Sequence, residues 1–123
     1  MPTVDVIYYR EGSRVPIVEW LEMLAPKARV MCTRHLERLA HDGHELRRPL
    51  SDHLGRGIFE LRVRHQRVNL RMLYFFHGTA IVVVTHGFMK QQALVPLHEI
   101  WLAIERRQRF NADPQAHAFK PGG

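Results

Sequence analysis

An α+β fold is predicted from three features of the 123-residue sequence: an alternating opening segment, two proline-started helical patterns, and three alternating or β-branched segments closed by a last helical pattern. The element order read from them is β-α-α-β-β-β-α. It implies a small, largely antiparallel sheet, with the two adjacent helices packed as a hairpin on one face.

"TVDVIYY" opens the chain as a strand, with Val4, Val6 and Tyr8 alternating against Asp5, Ile7 and Tyr9. "EGSR" then breaks it. Pro16 suits a first helical turn, and Ile17, Trp20, Leu21 and Leu24 follow at i, i+3, i+4 and i+7, predicting a short amphipathic helix over 16–24. Pro26 starts a second helix whose inner stripe is Ala28, Cys32, His35, Leu36 and Leu39, with Gly43 as its stop. The stretch 43–57, "GHELRRPLSDHLGRG", is polar and interrupted by Pro49, Gly55 and Gly57, and reads as a surface loop carrying Arg47, Arg48 and Arg56.

Residues 57–76, "GIFELRVRHQRVNLRMLYFF", alternate as a hairpin. A turn at His65–Gln66 would pair Val63 with Val68, Leu61 with Leu70 and Phe59 with Met72. The other face would then hold Arg64 beside Arg67, Arg62 beside Asn69, and Glu60 beside Arg71. Crowding arginines costs a few tenths of a kcal/mol or more, which an anionic partner would relieve. A solvated sheet face is the plain alternative. "HGT" turns the chain into "AIVVVTHGF", a β-branched run expected in a central strand covered on both sides. Pro96 begins the last helix, with Leu97, Ile100, Trp101 and Ile104 at helical spacing; helices are expected on one face of the meander. From Asn111 onward the sequence reads as a flexible tail, so one domain is expected over 1–110 and a tail over 111–123.

With 46% apolar and 24% charged residues the composition is that of a globular protein, and no apolar run is long enough to span a membrane. No secretory signal is visible, so a cytoplasmic location is expected. Eighteen Lys+Arg against 12 Asp+Glu give a net charge of +6, mostly from arginine, which suits a polyanionic partner. Cys32 stands alone, which rules out an internal disulfide and a cysteine-built zinc site.

The nine histidines show no metal-ligand spacing: "LHEI" lacks the second histidine of a zincin helix, and no metal or other cofactor is expected. No Gly-rich phosphate loop or nucleophile elbow occurs either. Lys90, just past the last strand, could join Arg62 and Arg71 in offsetting charge on a scissile phosphate. His86 could serve as acid or base, or as a hydrogen-bonded structural histidine. Tyr74, Trp20 and Trp101 fall on apolar stripes and are expected in the core, while Phe75 and Phe88 are open between core packing and base stacking.

"GIFELR" at 57–62, "LRMLYFF" at 70–76 and "THGFMKQQALVP" at 85–96, after an opening β-α-α unit, resemble the RelE/ParE/HigB toxin superfamily and its phage-derived HigB-like branch over residues 3–107. The resemblance implies the toxin of a type II toxin–antitoxin pair with a RelE-like fold. Such a toxin cleaves messenger RNA on the translating ribosome by metal-independent attack of the 2′-hydroxyl on the adjacent phosphate. By motif, Arg62 and Arg71 would hold the phosphate and Lys90 would offset developing charge. Phe88 would pack on a base or close the core, and Arg64, Arg67, Arg47, Arg48 and Arg56 would extend the RNA-binding surface. The family commonly has a second lysine where Gln91 stands and a helix-capping threonine where Val95 stands. The general base is open, with His86 and His53 as candidates. The partners implied are mRNA, the ribosome and a cognate antitoxin, commonly a helix-turn-helix protein, docking on the arginine face or the helical hairpin. Two other functions fit the resemblance: a ParE-like, non-enzymatic inhibitor of DNA gyrase, and a degenerate toxin that retains only antitoxin binding.

Overall fold

The computed structural model describes residues 3–122. Its elements are β1 (Asp5–Tyr9), α1 (Pro16–Met23), α2 (Pro26–Asp42), β2 (Ser51–Gly55), β3 (Ile58–His65), β4 (Val68–His77), β5 (Ile81–Lys90), α3 (Leu97–Ala112), α4 (Pro114–His117) and β6 (Ala118–Phe119). Prolines open α1 and α2 as expected, because the first helical turn needs no N–H from them. Gly43 closes α2 with a φ of 55°, in the left-handed region that favours glycine.

The strands form one sheet in the order β2-β3-β4-β5-β1-β6, antiparallel except where β1 runs parallel to β5. On one face Ile17, Leu21, Ala28, Cys32, Leu36 and Leu39 of the α1–α2 hairpin bury Leu61, Val63, Leu70, Met72, Tyr74, Val82 and Val84. Gly87 lets α1 sit close on β5: a Cβ at that position would lie only 2.2 Å from Cε3 of the Trp20 ring. The other face packs Ile7, Tyr9, Ile58, Leu73, Phe75 and Val83 against Ala103 and Phe110 of α3. Helices therefore cover both faces, not one, because the last strands are apolar on both sides and need two covers.

Four other expectations are corrected. The segment 43–57 is not all loop: after a 3-10 turn at Gly43–Glu45 it supplies β2, pairing Ser51 with Leu61, Asp52 with Glu60 and His53 with Phe59. An edge strand needs only one bonded neighbour, so its sequence carries little apolar signal. The β3–β4 turn is Gln66–Arg67, both at positive φ (49° and 67°), rather than His65–Gln66. The register moves by two, which keeps every residue on its expected face but sets Arg62 opposite Arg71, Arg64 opposite Asn69 and Glu60 opposite Leu73.

The segment from 111, expected to be flexible, forms α4 and β6. Ala118 pairs with Tyr9 and Phe119 with Tyr8, and the His117 ring stacks on Tyr9 at 5.2 Å. Trp101, expected in the core, is 52% exposed, with the Arg56 guanidinium 4.6 Å above its ring. Among the described residues no helix is long and apolar enough to cross a membrane.

Candidate nucleic-acid interface

A single bulge assembles the cationic face. Tyr74 opposes Val84 and Leu73 opposes His86, so Thr85 is an extra residue on β5. Beyond it the parity of β5 is reset, and His86, Phe88 and Lys90 point to the same side as Leu73, Arg71 and Asn69. Three cross-strand rows result: Glu60, Leu73 and His86; then Arg62, Arg71 and Phe88; then Arg64, Asn69 and Lys90. The face lies under α3 at Leu73 and emerges toward Arg64 and Lys90, which are exposed and half-buried respectively.

The centre of this array is charged and ion-paired. Glu60 is 1% exposed; its Oε1 accepts from Arg62 Nε at 2.7 Å, and its Oε2 lies 3.4 Å from Arg71 Nε, an ion pair without hydrogen-bond geometry. Arg62 also donates through Nη2 to Asp52 Oδ2 at 3.1 Å, and Arg71 through Nη1 to the Leu70 carbonyl at 3.1 Å. Burial pulls the Arg71 pKa down, while the adjacent Glu60 charge opposes the shift. Asp52 is held below the usual carboxylate range, first by hydrogen bonds from Arg48 and then by the charges of Arg48 and Arg62. Three guanidiniums, those of Arg48, Arg62 and Arg71, thus share two carboxylates, and Lys90 and Arg64 add charge with no ion-pair partner among the described residues.

Other residues singled out in the sequence are distributed differently. Arg67 sits in the exposed turn of the hairpin. Arg48 bonds both oxygens of Asp52 at 3.0 and 3.1 Å, and Arg47 donates to the His44 carbonyl at 2.6 Å beside it. Arg56 stacks on Trp101 of α3, away from the arginine row. Phe88 lies in that row but is only 9% exposed and joins the core beneath α3, so it offers no platform for a base.

His86 is likewise not presented to a ligand. Its ring is 7% exposed, and burial lowers its pKa despite a hydrogen bond to Glu99. In the neutral ring so favoured, Nε2–H donates to Glu99 Oε1 at 3.2 Å, and Nδ1 pairs at 2.8 Å with the Thr85 hydroxyl, which also lies 3.3 Å from the Leu73 carbonyl. His86 therefore fastens α3 to the bulge. His53 lies on the opposite side of the sheet, stacked 4.5 Å from Phe59 and accepting from the Gly57 amide. Neither histidine is poised as a base on the arginine face. Sequence reasoning set Glu60 beside Arg71 on this face but missed its bond to Arg62, and it missed Asp52, which was hidden in the presumed loop. Among the described residues no cluster of three His, Cys, Asp or Glu is placed to hold a metal ion.

Sheet order, mixed α+β composition and the α1–α2 hairpin fit a RelE-like fold. Residues 19–108, well over half of the chain, match the family described as phage derived protein Gp49-like (DUF891), and the chain belongs to that family. The family is toxin-like and related to RelE and HigB, which is consistent with a toxin of a toxin–antitoxin system and with a cognate antitoxin as its partner. No curated protein matches the chain.

Proposed function

We propose that this protein is a toxin that cleaves messenger RNA on the translating ribosome, in the cytoplasm. The observation that carries this reading is the Arg62–Arg71 row, continued by Lys90 and Arg64 on the part of the sheet that α3 leaves open. A phosphodiester set against this row would meet guanidiniums held in place by Glu60 and Asp52 rather than free to reorient.

In the reaction, the 2′-oxygen attacks the adjacent phosphorus and the bond to the 5′-oxygen breaks. The 2′-hydroxyl proton is lost and the departing 5′-oxygen gains one, leaving a 2′,3′-cyclic phosphate and a 5′-hydroxyl. Negative charge grows on the phosphoryl oxygens, and Arg62, Arg71 and Lys90 are the groups that would offset it. With His86 buried beneath α3 in bonds to Thr85 and Glu99, and His53 on the opposite side of the sheet, the rate rests on that charge and on alignment of the 2′-hydroxyl by the ribosome, a contribution that can reach several powers of ten. No metal is assigned a role. A helix-turn-helix antitoxin would silence the protein by covering the arginine face or docking on α1 and α2.

One observation favours a second reading. Arg62 and Arg71 already have carboxylate partners, and Arg71 is only 7% exposed. That arrangement also suits a toxin that has kept its fold and antitoxin binding without cleavage, or one that binds DNA gyrase instead of RNA. Primer extension on a defined message, with and without programmed ribosomes, separates these readings. Ribosome-dependent cuts that weaken by about a hundredfold or more in a folded Arg71→Ala variant are expected; the absence of cuts by wild type would favour the second reading.

A further inference from the structure

Edge strand β2 has a second cationic feature on its far side, and it is built differently from the arginine row. A cleft of about 450 Å³ is lined there by Arg47, Arg48, Asp52, His53 and Phe59, among others. Its floor is aromatic: the exposed His53 ring stacks on Phe59 at 4.5 Å, and Phe59 in turn stacks on Tyr74 at 5.4 Å. Tyr74 is buried and hydrogen-bonded to the Ser51 hydroxyl, so the stack stands on a fixed base. Arg47 and Arg48 are exposed beside it. An exposed, supported aromatic ring flanked by solvent-facing guanidiniums is the combination that binds a nucleotide of single-stranded nucleic acid, by stacking its base and pairing its phosphate.

The cleft is joined to the arginine row by one atom. Asp52 Oδ2 accepts from Arg48 Nη2 and from Arg62 Nη2, each at 3.1 Å, so the two guanidiniums are immediate neighbours across the sheet edge. A strand with one phosphate at Arg62 would therefore reach Arg48 with a neighbouring phosphate and carry its base over the edge of β2. We propose that the His53–Phe59 cleft is a subsite for the nucleotide flanking the scissile phosphate. The base stacks on His53, and Arg47 and Arg48 hold the phosphate. This inference rests on the RNA-cleaving reading above and adds to it a contact on the opposite side of the sheet.

The test is equilibrium binding of a short fluorescein-labelled 2′-O-methyl RNA, which cannot undergo 2′-hydroxyl attack, followed by fluorescence anisotropy. His53→Ala is expected to raise Kd about tenfold, the loss of one stacked base. His53→Tyr keeps the ring but not the bond to the Gly57 amide, and is expected to bind like wild type. Arg47→Ala is expected to weaken binding and to lower the salt dependence by about one phosphate contact. If Arg71→Ala weakens binding while His53→Ala does not, the subsite is wrong and the RNA reading stands. If His53→Ala and His53→Tyr weaken it equally, the ring serves only the β2–β3 turn and the subsite is also wrong. Wild type that cuts a message on the ribosome but does not bind this RNA would overturn the subsite alone, and wild type that does neither would overturn both.

Discussion

Lys90, unlike Arg62 and Arg71, has no counter-ion among the described residues and lies at the open end of the face. That difference makes it the cleaner probe of electrostatic catalysis. Deleting Arg71 strands the buried Glu60 carboxylate with one partner fewer, and breaking a buried pair in this way typically costs about 3–5 kcal/mol of stability. Lys90→Ala strands nothing. It is expected to leave the unfolding free energy measured in urea within about 0.5 kcal/mol of wild type. Cleavage on programmed ribosomes should fall by about a hundredfold or more. A Lys90→Ala variant that cuts normally would remove this residue from the proposed chemistry. Arg62 and Arg71 could be placed on one face from strand parity, whereas Lys90 was marked by motif alone, since the bulge at Thr85 resets the parity of β5 before it. What could not be read was the company they keep: Asp52 lay in a segment with no strand signal, and only the β2–β3 pairing brings it to Arg62.

At the scale of elements, the bulge at Thr85 and the helix α3 act together. The bulge turns His86 toward α3, and Glu99 reaches back from the first turn of that helix to bond it. Arg106, one of the charges that disfavours protonation of His86, adds a second tie by donating to the Thr85 carbonyl at 3.2 Å. Folding lowers the pKa of His86 below its ordinary 6.5, first by burial, and that of Glu99 below its ordinary 4.5, first through the hydrogen bond from His86. Both shifts have the same sign for stability: as pH falls through 6.5 and then 4.5, the unfolded chain takes up protons that the folded chain resists. The melting temperature is therefore expected to fall between pH 7 and pH 4, and His86→Gln, which cannot titrate, should flatten the upper part of that slope. An unchanged slope in His86→Gln would show that this clasp is not what acid loosens. None of this could be seen in "VVVTHGF", because alternation alone does not reveal which residue is the extra one. The same limit explains β6 and α4: their bonds to β1 are long-range, and local sequence marks only Pro114 and the capping Asp113.

For the whole molecule, a net charge of +6 is distributed so that the buried Glu60 and Arg71 pair, while Arg64 and Lys90 at the open end of the face have no ion-pair partner among the described residues. Exposed arginines on both sides of β2 and an uncompensated Lys90 at the end of β5 give the sheet's open corner a field suited to a polyanion. The helices cover the rest: α1 and α2 on one face, α3 on the other. Apart from β2, the order of elements through β5 and α3 followed from periodicity, since each buried face imposes its own spacing on the sequence. The placement of α3 on the second face did not, because periodicity tells which stripe is buried and not what buries it. Both the cationic corner and the RNA chemistry proposed for it depend on that placement.

The most direct measurement is primer extension on ribosomes programmed with a message in which the mapped cleavage position carries either ribose or a single 2′-deoxyribose. Cleavage of the all-ribose message and sparing of the deoxy position are predicted, because the nucleophile is then missing while every phosphate contact is retained. Cuts at both positions would contradict attack by the 2′-hydroxyl, and cuts at neither would contradict cleavage altogether.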